Sequence, residues 1–465
     1  MVRLQVTAMS NLFYRNLRRT YPVVKSAQGV WVEDMDGKRY LDGCSGAVAC
    51  NLGHGVTRIN EAIKDQLSRV AFAHTSQFVS EPALKLAQRL IELAPDNFHG
   101  AGPDDGGRAY FVCGGSEAVE TAIKMARGYY IEKDQPSRHL VISRWNSYHG
   151  STLGALAVTG HPARRKPYLT MLKDQPHINA SYPYRCSCRI TPEPCHSEVC
   201  AAASADQLES MILKLGAENI MAFIAEPIVG AALGAVAPPD GYWQRIRRIC
   251  NKYDVLLIAD EVMTGLGRCG AAFALDLWGV AADIIAVGKG LAAGYMPLGA
   301  VLASAKVAQA YGNGTGVFEH GFTYSGHPAA CAAGVAAVEM LIEEQLITSV
   351  RVRENELFAH LNKLAKFDFI GDVRGRGFLA GLEFVSNRQT KEPFDPSMSI
   401  GQAVAKAAMQ LGLIVYPGSG FVDGMKGDHI IIAPPLNITA EELSELVQRL
   451  ERALELVVSR QASRS

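Results

Sequence analysis

Short, uninterrupted apolar runs recur through the middle of the chain and alternate with stretches of helical spacing. Between residues 107 and 305 the runs are AYFVC (109–113), HLVIS (139–143), MAFIA (221–225), VLLIA (255–259), DIIAV (283–287) and GAVLA (299–303). Such runs are typical of strands buried on both faces, as in a parallel sheet. Residues 116–130 and 241–253 have amphipathic helical spacing. The alternation predicts an α/β domain with a mostly parallel sheet flanked by helices.

The pattern changes after about residue 330, where helices mix with isolated strands. Helical spacing covers roughly 328–345, 348–366 and 400–411, and strand-like runs cover 378–384, 413–416 and 429–433. A T-x-x-E capping box from Thr439 to Glu442 predicts the start of a last helix. These features predict a smaller α+β domain.

The N-terminal stretch VWVEDMDGKRYLDG predicts a hairpin that turns at Asp36-Gly37. We therefore expect three parts: residues 1–60, which pack with the small domain; the large domain, 61–330; and the small domain, 331–465. The preceding MVRLQVTAMSNLFYRNLRR is basic and lacks acids, as a transit peptide does, but its direct passage into the hairpin favours an ordinary N-terminal segment.

Composition and charge narrow the functional classes. The 465 residues are 48% hydrophobic and 20% charged, which is typical of a soluble globular protein. Lys plus Arg equals Asp plus Glu at 46 each, so no net field favours a nucleic acid or membrane partner. No apolar run reaches the roughly 18 residues of a membrane span.

Ten cysteines without regular spacing predict reduced thiols in a cytoplasmic protein. One stretch, YRCSCRITPEPCHSEVC, groups Cys186, Cys188, Cys195, His196 and Cys200. Zinc uses such ligands, but the paired C-x2-C spacing is missing. We therefore expect no metal site and a long surface loop with incidental thiols, with zinc as the open alternative.

Polar side chains follow several predicted strands, at the edge where open α/β sheets bind ligands. AYFVC is followed by Gly114, Gly115 and Ser116 at the start of a helix. Close backbone approach, a hydroxyl and the helix N-terminus together favour phosphate. An ordinary helix cap gives the same pattern.

The next strand ends add an aromatic side chain and acids. Tyr148 and His149 follow HLVIS, Glu226 follows MAFIA, and Asp260-Glu261 follows VLLIA. Tyr148 is equally compatible with a ligand face and a half-buried loop residue. A buried carboxylate needs a partner. For Glu226 and Glu261 a structural partner is sufficient, whereas for Asp260 we expect a buried cation.

DIIAV leads to Lys289, which stands between two glycines in VGKGLAAGYMPLGA. Most such lysines lie at the surface, but an apolar site converts the ammonium to a nucleophilic amine. A phosphate cradle, a ring-stacking face, a carboxylate for a ring nitrogen and an amine for a Schiff base are what pyridoxal 5′-phosphate (PLP) requires.

Several longer motifs extend this pattern: GGSEAVETAIKMAR, YHGST, AEPIVG, LIADEVMTGLGR, VGKGLAAGYMPLGA, GFTYSGHPAACAA and IIIAPPL. With these motifs in this order, nearly the whole chain resembles the class III (subgroup II) PLP-dependent aminotransferases, closest in pattern to the ω-amine:pyruvate branch. The resemblance implies an α/β protein of PLP fold type I.

The resemblance also implies residue roles. Lys289 would form the Schiff base and shuttle the proton, and Asp260 would pair with the pyridinium nitrogen. Val262 and Tyr148 would cover the two faces of the ring.

Gly115 and Ser116 would hold the phosphate, and Glu226 would orient neighbouring groups. Thr323, in GFTYSGHP, would reach the phosphate of the neighbouring subunit, so the resemblance implies a homodimer with a shared active site; a tetramer is the alternative.

Two positions depart from the relatives that transaminate ornithine, acetylornithine or 4-aminobutyrate. Ala231 stands where these relatives have a gating glutamate, and Ile431 stands where they have a carboxylate-binding arginine, so we expect Ile431 to line the site. In the nearby loop YPGSGFVDGMKGDH the only cation is Lys426, and an ammonium does not make a bidentate pair.

We therefore expect an ω-amine or a β- or ω-amino acid as donor and pyruvate or a similar keto acid as acceptor. Another PLP reaction on the same fold, such as decarboxylation, epimerisation, aminomutation or phospholysis, is the alternative. A non-catalytic or nucleotide-binding α/β protein is less compatible, because neither GxGxxG nor GxxxxGK[ST] occurs.

Overall fold

The structure is a computed structural model that describes residues 11–102, 105–186, 195 and 198–462. The first ten residues, on which the transit-peptide alternative depends, lie outside this range. Within it the strands are β1 (Val24–Gln28), β2 (Trp31–Asp34), β3 (Arg39–Asp42), β4 (Arg108–Val112), β5 (Leu140–Arg144), β6 (His177–Ile178), β7 (Ile220–Ala225), β8 (Leu256–Asp260), β9 (Ile284–Val287), β10 (Gly299–Ala303), β11 (Ile370–Arg376), β12 (Leu379–Phe384), β13 (Leu413–Ile414), β14 (Tyr416–Ser419) and β15 (Asp428–Ile432).

The helices of the same range are α1 (Ser45–Val48), α2 (Thr57–Arg69), α3 (Glu81–Leu93), α4 (Gly115–Glu132), α5 (Leu153–Val158), α6 (Pro162–Arg165), α7 (Glu198–Leu215), α8 (Tyr242–Lys252), α9 (Ala305–Asn313), α10 (Pro328–Glu343), α11 (Leu346–Asn362), α12 (Ile400–Gln410) and α13 (Ala440–Ala462). None of these described helices is both long and apolar enough to cross a bilayer.

The large sheet has the strand order β4-β10-β9-β8-β7-β5-β6. Strands β9, β8, β7, β5 and β6 run parallel, whereas β10 is antiparallel to both β9 and β4. The parallel direction inferred for GAVLA is therefore wrong. An apolar run reports burial of both faces and not direction, and the connection 288–298 is shorter than the dozen or more residues that a parallel crossover needs.

Successive residues of the central strands pack into two different hydrophobic clusters. On β8, Leu257 and Ala259 belong to the larger cluster, and Leu256 and Ile258 belong to the cluster under α4. Strand side chains alternate between faces, so burial of both faces produces the uninterrupted apolar runs of the sequence.

The C-terminal part contains the antiparallel sheet β11-β12-β15-β14. The strand predicted at 413–416 is divided, because β13 pairs with β3 while β14 pairs with β15. β11 had no prediction; its residues IGDVRGR contain two glycines and three charged side chains.

Two local predictions are confirmed. Strands β2 and β3 form the antiparallel hairpin around Asp36-Gly37. Thr439 and Glu442 exchange side-chain and backbone hydrogen bonds of 3.0 and 3.1 Å, as a capping box does. The parallel pairing of β3 with β13 joins residues near both ends of the chain; the three domain boundaries stay a prediction.

Candidate active site

A cavity of about 170 Å³ opens at the carboxyl ends of β5, β7, β8 and β9 and at the start of α4. Its lining includes every predicted cofactor residue except Thr323, together with four further residues; the full set is Gly115, Ser116, Tyr148, His149, Gly150, Glu226, Ala231, Asp260, Val262, Met263 and Lys289. Larger cavities of about 530 and 660 Å³ lie elsewhere in the described part of the chain, and neither is lined by a lysine.

Lys289 lies directly after β9, in a left-handed conformation with φ 44°. Burial lowers the pKa of its amine to about 8, against an ordinary value of 10.5. The carboxylates of Asp260 and Glu226 oppose this shift, and the guanidinium groups of Arg268 and Arg164 reinforce it. The amine is therefore available as a nucleophile closer to neutral pH than an exposed lysine is.

Asp260, the last residue of β8, is 4% exposed and has a buried partner. Its Oδ2 lies 2.7 Å from Nδ1 of His149, and its Oδ1 accepts a hydrogen bond from the backbone N–H of Val262. The partner of this carboxylate is thus an imidazole from the loop that follows β5, two strands away in the sheet. Nε2 of His149 is buried and has no hydrogen-bond partner in the described structure.

A concave backbone surface surrounds Ser116, where α4 begins. A Cβ on Gly115 would lie 2.6 Å from Cγ1 of Val262, and a Cβ on Gly150 would lie 2.8 Å from Oγ of Ser116. Oγ of Ser116 also accepts a hydrogen bond from the N–H of Ser151. Only glycine leaves this space open next to a helix N-terminus, and such a cradle suits a phosphate group.

Glu226 supports the loop that carries the aromatic side chain. Its two carboxylate oxygens accept hydrogen bonds from the N–H groups of Tyr148, at 3.1 Å, and Gly230, at 3.0 Å. Burial raises the pKa of this carboxyl. Glu261 accepts hydrogen bonds from Thr264 and from the N–H of Leu275, so its pairing is local and structural.

The structure reveals a cation that had no signal in the sequence. The guanidinium of Arg164, on α6, stacks over the ring of Tyr148 with 4.4 Å between Cζ and the ring centroid. It forms no ion pair or side-chain hydrogen bond with any described residue. The fold brings it against Tyr148, a residue of the cavity lining, from a helix that does not follow a strand of the large sheet. His149, by contrast, had a signal, because a buried Asp260 needs a partner.

The positions that depart from the relatives carry no charge in the structure. Ala231 lines the cavity, whereas Ile431 is fully buried in β15 and is not among the lining residues. The expectation that Ile431 itself lines the site is therefore wrong; a β-strand residue can fill the core behind a pocket wall. Nζ of Lys426 lies 3.7 Å from a carboxylate oxygen of Glu392.

Thr323 is exposed and lies outside the cavity lining of its own chain. Of the grouped thiol residues, Cys188 and His196 lie outside the described residues. The structure brings Cys186, Cys195 and Cys200 together, with their sulfur atoms within 4.8 Å of one another.

The set of groups fits PLP. The glycine cradle with Ser116 would hold the phosphate, Tyr148 and Val262 would flank the ring, Asp260 would face the ring nitrogen, and Lys289 would bind the aldehyde carbon. The cavity places all of these groups around one volume of space.

Comparison with known proteins agrees with this reading. The sequence model of the family described as aminotransferase class-III matches residues 13–454. The chain is 42% identical to the uncharacterized aminotransferase YodT of Bacillus subtilis, over 94% of this chain and 96% of the relative. It is 35% identical to a putrescine–pyruvate aminotransferase of Pseudomonas aeruginosa, over 93% and 90%.

A solved structure shows the same fold with the cofactor in place. The PLP-bound amine transaminase of an uncultivated Pseudomonas species superposes with a TM-score of 0.87 at 35% identity, and the match covers 96% of this chain and 97% of that chain. The fold is therefore PLP fold type I, the cofactor is PLP, and the chain belongs to the class III aminotransferase family.

Proposed function

We propose that this enzyme transfers an amino group from an ω-amine, or from a β- or ω-amino acid, to a keto acid such as pyruvate. The observation that carries the proposal is the distribution of charge around the cavity. The wall at Ala231 is neutral, and the guanidinium of Arg164 lies against the ring of Tyr148, which lines the cavity. A donor without a carboxylate on its reacting carbon therefore needs no cation in this wall, and Arg164 is the candidate partner for the carboxylate of the keto acid.

Bound PLP supplies an electron sink for the charge left when a proton leaves the donor carbon. Lys289 holds the cofactor and moves that proton. Asp260, fixed by His149, keeps the ring nitrogen protonated. Tyr148 and Val262 restrain the ring, and the Glu226 carboxylate keeps the Tyr148 backbone in position.

The relatives support a donor of this class without defining it. The matched enzyme from Pseudomonas aeruginosa is named for putrescine and pyruvate, and the superposed structure is named an amine transaminase. Decarboxylation, epimerisation, aminomutation and phospholysis would use the same lysine and aspartate. A dependence of turnover on a keto acid separates amino transfer from these reactions.

The test compares kcat/KM for β-alanine, a simple diamine and L-glutamate, each with pyruvate as acceptor. We expect the diamine or β-alanine to lead, and L-glutamate to trail by at least about tenfold, because Arg164 can pair with only one of its two carboxylates and leaving the other unpaired and buried costs several kcal/mol. A clear lead for L-glutamate would exclude the proposed specificity. Turnover without any keto acid would exclude amino transfer as the reaction.

Arg164 provides a second arm of the test. A charge-assisted hydrogen bond contributes about 1.5–3 kcal/mol, so Arg164→Leu should raise the KM for pyruvate roughly 10- to 100-fold. The half-reaction with an amine that lacks a carboxylate serves as the control, and its rate should stay within about twofold of wild type. Arg164→Lys keeps the charge and should retain part of the affinity. An unchanged KM for pyruvate in Arg164→Leu would place the carboxylate elsewhere.

We also propose a homodimer in which each subunit completes the site of its neighbour. Thr323 is exposed, and apolar side chains are exposed on the chain, with Phe72 44%, Phe78 66%, Val79 69% and Tyr324 58% accessible. The ring of Phe72 lies 5.9 Å from that of Tyr324. Contiguous exposed apolar groups mark interaction surfaces, and a second copy of the chain would cover this surface.

A cytoplasmic location stays a prediction from the cysteine content.

A further inference from the structure

Three cysteines, none of which lines the active-site cavity, lie close together in the fold. Cys186 follows the short 3-10 turn Pro183–Arg185, Cys195 is the next described residue of that loop, and Cys200 belongs to the first turn of α7. Their three sulfur atoms lie within 4.8 Å of one another. Among the described residues, no other group of three histidine, cysteine or acidic side chains meets this criterion.

The arrangement is held by the backbone as well as by the side chains. The N–H of Cys195 donates to the carbonyl oxygen of Pro183 at 2.9 Å, which brings the two ends of the loop together. Cys195 and Cys200 are 2% and 3% exposed, and Cys186 is half-buried. Incidental thiols on a surface loop would point in separate directions into solvent, whereas these point into one shielded volume.

The distances are close to those of a thiolate metal site. Zinc–sulfur bonds of about 2.3 Å in tetrahedral geometry separate neighbouring sulfurs by roughly 3.8 Å. Sγ of Cys186 and Sγ of Cys200 lie 2.9 Å apart, and all three sulfurs fit within 4.8 Å. Side-chain adjustments of roughly 1 Å would therefore place an ion at bonding distance from all three sulfurs.

Charge also favours thiolates at this position. Cys200 is the third residue of an 18-residue helix, and the partial positive charge of a helix N-terminus lowers the free energy of a nearby thiolate. Thiolate ligands select soft or borderline metals, and among these Zn²⁺ requires no redox change. A disulfide, by contrast, would use two of the sulfurs and would leave the third without a reason to be there.

We propose that Cys186, Cys195 and Cys200 bind one Zn²⁺ ion per chain as thiolates. The three thiol protons pass to solvent on binding, and no oxidation is involved. The ion would fasten the start of α7 to the turn Pro183–Arg185. That turn already joins the small domain, because Arg185 contacts the buried carboxylate of Glu383 at 2.7 Å.

Metal content of the holoenzyme tests the proposal. After gel filtration with EDTA, and again after one equivalent of Zn²⁺, elemental analysis should find about one zinc per chain. The triple variant Cys186→Ser, Cys195→Ser, Cys200→Ser should lose it. The matched control, Cys250→Ala with Cys331→Ala, removes buried cysteines outside the cluster and should keep it.

Folding is checked independently by circular dichroism and by PLP content, and the milder variant Cys186→Ser should lower zinc affinity at least about tenfold if the triple variant fails to fold. Replacement by Co²⁺ should produce a thiolate charge-transfer band in the wild-type protein alone. Absence of zinc in both wild-type samples, or equal zinc in wild type and variants, would overturn the proposal. So would a denatured mass lowered by two hydrogens, because a disulfide would then occupy the site.

Discussion

At the scale of single residues, chemistry at the site depends on where charge is buried. The Lys289 amine, the Asp260 carboxylate and the His149 imidazole belong to residues that line the same cavity, and Asp260 and His149 are buried. Burial disfavours the ammonium form of Lys289, and the carboxylates of Asp260 and Glu226 oppose that shift. The balance makes Lys289 a better nucleophile, and the contact with His149 holds the Asp260 carboxylate in place.

The first prediction follows from the lowered pKa of Lys289. Only the neutral amine attacks PLP, so covalent reconstitution of the apoenzyme should accelerate about tenfold per pH unit up to about pH 8 and then level off. An exposed lysine would keep accelerating to about pH 10.4. The measurement is borohydride trapping across pH 6–10, followed by peptide mapping.

In the same experiment Lys289→Ala is the control and should show no trapped label and no turnover. A label on another lysine would show that a different amine holds the cofactor, and a rate still rising tenfold per unit above pH 9 would show that Lys289 is not shielded.

The second prediction concerns Asp260. Asp260→Asn removes the charge that we propose faces the ring nitrogen but keeps the size of the side chain, so the fold should persist. Loss of a charged hydrogen bond of about 1.5–3 kcal/mol corresponds to a rate loss of at least about tenfold. Single-turnover kinetics with a saturating amine measure this rate loss. A wild-type rate in Asp260→Asn would mean that the ring nitrogen is not paired with residue 260.

At the scale of elements, the cradle is formed where α4 begins against the end of β8. Gly114 and Gly115 are adjacent in sequence, yet they differ in what a side chain would meet. A Cβ on Gly115 would lie 2.6 Å from Val262, while Gly114 is extended, with φ 179°, and a Cβ there would meet nothing within 4 Å. Substitutions at these two positions therefore separate the effect of close packing against Val262 from the general effect of replacing a glycine.

We therefore expect Gly115→Ala to displace the first turn of α4 or the side chain of Val262, and to weaken PLP binding at least about tenfold, as a small misplacement at a preorganised site does. Gly114→Ala should bind PLP within about twofold of wild type. Equilibrium dialysis with PLP measures both variants. Equal affinities would show that the contact with Val262 does not shape the cradle.

The element scale also shows what the sequence could predict. Strands such as 255–259 were found because both of their faces are buried, and the site residues were found because they follow those strands. Strand direction was missed at β10, where burial carries no directional signal. Arg164 was missed because its place beside Tyr148 depends on packing of α6, and the gathering of Cys186, Cys195 and Cys200 depends on a loop fold that spacing does not encode.

At the scale of the whole molecule, one chain lacks one expected part of its own site. Seven of the eight predicted cofactor residues line one cavity, and the remaining residue, Thr323, is exposed. The proposed dimer explains this difference, because the phosphate of one subunit would then receive Thr323 from the other.

Mixed dimers carrying two affinity tags test that arrangement. A Lys289→Ala chain paired with a Thr323→Val chain leaves one site with Lys289 and with Thr323 from its neighbour, so we expect about half of wild-type activity at limiting PLP. A Lys289→Ala, Thr323→Val chain paired with wild type leaves the only lysine-bearing site without the neighbour's hydroxyl. That dimer should bind PLP about tenfold more weakly, since one charged hydrogen bond is lost.

The opposite ranking of the two mixed dimers would show that Thr323 serves its own subunit. Monomers in solution at working concentration would exclude the shared site altogether.

The pairing of β3 with β13 has a consequence for synthesis on the ribosome. Leu41 pairs with Leu413, so roughly 370 further residues must be synthesised before β3 can pair with β13. At translation rates of about 5–20 residues per second, this takes about 20–75 s. During that time one edge of the N-terminal sheet has no strand beside it, and open edges recruit other chains. A nascent chain stalled before residue 413 is thus a substrate for chaperones or aggregation, and synthesis of β13 supplies the strand that closes the edge.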